Sequence, residues 1–124
     1  MTRCPANRVY RLIQDALAGL PKQYAERLEN VDFRVLRAPS RIDRKRLGLG
    51  REDLYGLYEG IPLTRRGEFY DRVIPDRITL YWGTLIRDYP EDEALAEQVK
   101  KTVYHEIGHY FGLDEEDLHG TSVG

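Results

Sequence analysis

Three residues near one end of the sequence have the types and spacing for metal chemistry. In HEIGHYFGLDEEDLH, residues 105–119, His105 and His109 stand four apart, with Glu106 directly after the first. On a helix that spacing brings two imidazoles onto one face, and the neighbouring carboxylate can reach water at a shared metal ion. HExxH on a helix is a zinc arrangement, with the histidines as ligands and the glutamate as general base. The alternative is an ordinary solvated helix face. All three histidines of the chain fall within these fifteen residues, and the adjacent glutamate favours the metal site.

Catalytic zinc takes three protein ligands and keeps one position for water. Cys4 is the single cysteine, so a thiolate cluster is excluded and the donors must be histidine and carboxylate. A glutamate supplied by a later helix does not fit the short acidic stretch after His109. In the layout HExxHxxGxxH a glycine turns the chain so that the residue three further on returns to the metal. Gly112 occupies the glycine position and Glu115 the returning one. Glu115 is the first candidate for third ligand and His119 the second, while Asp114, Glu116 and Asp117 read as surface charge. Met1 is the single methionine, so the methionine turn that accompanies the full layout is absent.

A scaffold must present that helix. PEDEALAEQVKKTVYHEIGHYFG reads as the longest helix, with acids in its first turn and Glu97 four before Lys101. At about 100° per residue, Ala96, Val99, Val103, Ile107, Tyr110 and Phe111 gather on a core-facing side. His105 and His109 lie roughly 160° from Ile107, and Glu106 sits at the border of the two faces. Gly112 is where the helix should stop.

Upstream, Val9, Leu12, Ile13, Ala16, Leu17 and Leu20 predict an amphipathic helix over 6–19, and a second helical stretch runs from Pro21 to about Asn30. VDFRVLR alternates as a half-buried strand. Residues 39–53 read as a loop with at most one helical turn, and their basic cluster as a solvated surface. YGLYEGIPLT, residues 55–64, fits an edge strand, and 65–76 a connection. RITLYWG is the clearest strand, with Ile78, Leu80 and Trp82 alternating against Thr79 and Tyr81.

The 124 residues, 41% hydrophobic, suit one domain spanning 1–124 with a single core. Nineteen basic against 21 acidic residues leave no nucleic-acid footprint. No segment approaches the roughly 20 apolar residues that span a bilayer, and no signal peptide is visible, so a soluble, cytoplasmic protein is expected.

HEIGHYFGLDE, with ITLYWGTLIRDYP and the GLYEGIPLT strand before it, resembles the minimal zincins, small bacterial proteins with a zincin-like metallopeptidase fold. The resemblance runs from the first helix to the acidic stretch and is most specific at HExxHxxGxx, where members usually continue with aspartate and this chain has Glu115. It implies an α+β fold: a short mixed sheet, an edge strand over the cleft, and a helix carrying His105, Glu106 and His109. It also implies Zn2+ and a peptide or protein substrate. Such a substrate would lie extended along the edge strand, using the main chain around Gly56, Leu57, Tyr58 and Gly60. Tyr81 and Tyr110 are candidates to steady an oxyanion, although packing is the plainer role for both. The competing function is a non-catalytic zincin-fold module for metal binding or protein interaction.

Overall fold

The computed structural model describes residues 4–28, 31–48, 54–60 and 76–113. Helix α1, Pro5–Ala18, starts with proline in its first turn, where a missing N–H costs nothing, and buries Val9, Ile13 and Ala16. A single turn, α2 (Lys22–Ala25), follows, shorter than the stretch expected to reach Asn30. Tyr24 is 45% exposed, so little burial extends that turn. Strand β1 is Val31–Leu36. Helix α3, Arg41–Arg46, is longer than the single turn expected in the basic loop, and Ser40 caps it by accepting from the Asp43 N–H at 3.0 Å.

Strand β2 spans Gly56–Glu59 and β3 spans Asp76–Tyr81. The strand order is β1-β3-β2, with β1 parallel and β2 antiparallel to β3. The sheet is therefore mixed, and among the described residues β2 lies at an edge. The expected continuation of β2 to residue 64 lies outside the described residues. Alternation in β3 predicted one covered face, yet Thr79 and Tyr81 are as buried as Ile78 and Leu80. A central strand covered on both sides loses the half-polar pattern. Trp82 does not continue the strand. It begins helix α4, Trp82–Asp88, which pattern reading missed. Here the Gly83 N–H donates to the Arg37 carbonyl at 3.0 Å, a long-range bond that turns the chain out of the sheet.

Helix α5, Asp92–Tyr110, closes the structure over the sheet and α1. The aliphatic core joins Val9 and Ile13 of α1, Ile78 and Leu80 of β3, Leu85 of α4, and Leu95, Val99, Val103 and Ile107 of α5. Two tyrosines tie α5 to the N-terminal elements: Tyr104 donates to the Ala16 carbonyl at 3.0 Å and Tyr110 to that of Arg27 at 3.2 Å. The buried stripe begins at Leu95, whereas Ala96 is only half-buried. From Leu95 it runs through Val99, Thr102 and Val103 to Glu106 and Tyr110, so helical geometry carries a carboxylate onto the covered side. No described helix is long and apolar enough to cross a membrane.

Leu95→Ala should destabilise the protein by about 3 kcal/mol, the cost of a cavity in a fully buried leucine site. Ile42→Ala, at a side chain 78% exposed, should stay within about 0.5 kcal/mol. Urea unfolding followed by circular dichroism checks the contrast.

Candidate metal centre

His105 and His109 project from the last two turns of α5, both half-buried, and their Nε2 atoms approach to 3.2 Å. The rings meet edge to face, 80° apart. Glu106, 8% exposed, completes a group whose ligand atoms all lie within 4.8 Å of one another. The helix alone sets the histidine spacing. The ring orientation of His109 needs more than the helix.

That orientation comes from the helix end. Gly112 has φ +89° and follows Phe111, the C-cap. The Leu113 N–H donates to the Gly108 carbonyl and the Gly112 N–H to that of His109, each at 2.9 Å. This paired closure is the Schellman motif, which requires a left-handed residue and so favours glycine. It turns the Leu113 carbonyl back to 3.0 Å from His109 Nδ1. A carbonyl oxygen only accepts, so Nδ1 donates to it and Nε2 is the ring nitrogen turned toward His105. A proton or a cation between the two Nε2 atoms satisfies that convergence.

Strand β2 packs tightly beside this group. A Cβ on Gly56 would come within 2.7 Å of Thr102 Cγ2 and 3.4 Å of Glu106 Cγ, so no side chain fits there. Between β2 and α5 lies a cavity of about 330 Å³ lined by Tyr55, Gly56, Gln98, Lys101, Thr102, His105 and Glu106. Thr102 donates to the Gln98 carbonyl at 2.8 Å and accepts from the Gln98 amide at 3.2 Å. The Tyr55 hydroxyl donates to Asp88 at 2.7 Å, which holds the phenol well above its ordinary pKa. Arg87 and that hydroxyl hold the Asp88 carboxyl below the usual carboxylate range.

The residues expected along the strand divide by backbone phase. Tyr81 N–H donates to the Tyr55 carbonyl, so Tyr55 and Tyr81 form a hydrogen-bonded pair, and by alternation so do Leu57 and Thr79. The main-chain groups of Leu57 therefore face β3, while those of Gly56 and Tyr58 face the outer edge. Tyr58 donates its hydroxyl to the buried Asp76 at 2.6 Å, and Gly60 lies against that same Asp76. Neither oxyanion candidate is placed for that role. Tyr110 donates its hydroxyl to Arg27, and Tyr81 is on the sheet face away from α5, near Asp43, Glu59, Arg34 and Arg46. Glu115, Asp114, Glu116, Asp117 and His119 lie outside the described residues. The cleft residues Gln98, Lys101 and Thr102 escaped the sequence reading, although they fall seven and four before His105 and four before Glu106, the spacing of one helix face.

Gly112→Ala should cost about 1–2 kcal/mol, the steric penalty of a left-handed alanine. It should also weaken metal binding, because the Leu113 carbonyl no longer holds His109 in one tautomer. Thermal unfolding and metal titration of the same variant measure the two effects.

No curated protein matches the chain. A sequence model of the zincin-like metallopeptidases matches residues 28–124, from the end of the α2 region through α5 and beyond. The match covers most of the chain, including every strand of the sheet and the His-Glu-His group. The chain belongs to the zincin-like metallopeptidase family.

Proposed function

We propose that the protein is a zinc-dependent peptidase. The observation that carries the reading is the approach of two histidine Nε2 atoms to 3.2 Å beside a buried glutamate. Two nitrogens sharing one tetrahedral ion at zinc–nitrogen distances of about 2.0–2.1 Å stand at nearly that separation. Imidazole and carboxylate donors without thiolate suit zinc. His105 and His109 would hold the ion, and Glu115, at the returning position after Gly112, would complete the set, with His119 next in line. Zinc bound there supplies a Lewis acid that polarises the scissile carbonyl and makes water nucleophilic near neutral pH.

The chain's own residues do the rest. Glu106, facing the cavity from the covered side of α5, takes the proton of the attacking water on its carboxylate and passes it to the leaving amine. The Leu113 carbonyl keeps His109 in the tautomer that presents Nε2. Strand β2 offers the outward main-chain groups of Gly56 and Tyr58, and an extended peptide can add to that edge as a further strand. Leu57 contributes to sheet pairing instead. The rival reading is a zincin-fold module that binds metal or protein without turnover, and family membership alone does not decide between them.

Calorimetric titration of the chelator-stripped protein with zinc should give one tight site. His109→Ala and Glu115→Ala should each weaken it by at least about tenfold, the scale that loss of even an outer partner of a metal ligand reaches. Glu106→Gln should keep zinc binding and abolish peptide hydrolysis. Zinc affinity indifferent to His109, or hydrolysis surviving Glu106→Gln, contradicts the assignment.

A further inference from the structure

We propose that the cleft selects peptides bearing a carboxylate on the C-terminal side of the scissile bond, and that Lys101 recognises it. This inference rests on the reading of β2 as a peptide-binding edge. Lys101 lines the cavity together with His105 and Glu106. It lies four residues before His105, about 6 Å along the helix axis. The Glu97–Lys101 pair expected from sequence is not formed, and among the described residues the Lys101 ammonium makes no ion pair. Among the described residues that line the cavity it is the one lysine or arginine.

The direction of a bound peptide follows from packing. Gly56 sits against Thr102 and Glu106, while the Tyr58 ring meets that of Tyr110 at 6.2 Å. Strand β2 therefore runs in the same sense as α5. A peptide joining β2 in the antiparallel sense, the more stable pairing, runs against α5. Its N-terminal half passes Tyr58 and Tyr110, and its C-terminal half passes Glu106, then Thr102 and Lys101. An ammonium one helical turn beyond the reacting groups meets the residue just after the cut. The carboxylate there has two sources, an acidic side chain or the free end of the peptide, and both offer the same charge to a lysine.

The test uses the full chain with Glu106→Gln, loaded with one equivalent of zinc, and four dye-labelled hexapeptides of alanine and serine. One ends in a free carboxylate and one in an amide. The other two are amidated and carry Glu or Gln near the C-terminal end. Fluorescence anisotropy should show the free-acid and Glu peptides binding about fivefold more tightly than their neutral partners, the scale of one partly exposed ion pair. Lys101→Ala should erase that preference and Lys101→Arg retain it, with the zinc isotherm unchanged in both. A preference confined to the free-acid peptide, or to the Glu peptide, supports the proposal and identifies the source of the carboxylate. Equal affinities for all four peptides, or a preference that survives Lys101→Ala, overturn the assignment of Lys101 and leave the peptide-binding edge standing. Failure of every peptide to bind while zinc does overturns both.

Discussion

The contact on which this structure depends is the approach of β2 to α5 at Gly56. A strand and a helix normally keep a layer of side chains between them. Here the missing side chain lets the backbone of β2 close on Thr102 and Glu106, with no room even for a methyl group. That approach packs β2 against the Glu106 stem and forms one wall of the cavity, and it brings this strand beside the histidine-bearing turns of α5. The same helix meets the core along Leu95, Val99 and Val103. One element thus serves two neighbours, and the border between its apolar and polar faces is where the His-Glu-His group sits.

The histidine pair has a second dependence, on the way α5 ends. Helix termini leave carbonyls without intrahelical partners. The closure at Gly112 satisfies two of them, those of Gly108 and His109, and aims the carbonyl of Leu113, beyond the helix, at the His109 ring. A structural repair thereby becomes an electronic instruction, since the acceptor dictates which ring nitrogen carries hydrogen. Such outer partners of metal-binding histidines orient the ligand and raise its basicity.

Much of this was legible in the sequence because it depends on local periodicity. The i, i+4 histidines, the border position of Glu106 and the helix stop at Gly112 follow from 3.6 residues per turn and the backbone freedom of glycine. Strands β1 and β3 and the edge character of β2 were readable from alternation and from the glycines of YGLYEGIPLT. What escaped depends on distant partners. Helix α4 begins at Trp82 because Gly83 bonds Arg37, and no pattern in ITLYWG announces that bond. The burial of Thr79 and Tyr81 reflects coverage of the second sheet face, which alternation cannot show. Lys101 looked like half of a helix-surface ion pair with Glu97, and only the position of β2 reveals it as part of a cleft.

The strand order has a consequence for how the protein acquires its site. The central strand β3 comes later in the chain than both strands it joins, and Val31 finds its partner Asp76 only across the whole of α3 and β2. During synthesis β1 and β2 emerge with no sheet to enter, and they must wait until β3 and then α5 have left the ribosome. Long-range pairing of this kind carries a loop-closure cost before any contact repays it, which slows folding. Cleft, edge strand and histidine pair therefore come together only after β3 and α5 are both in place.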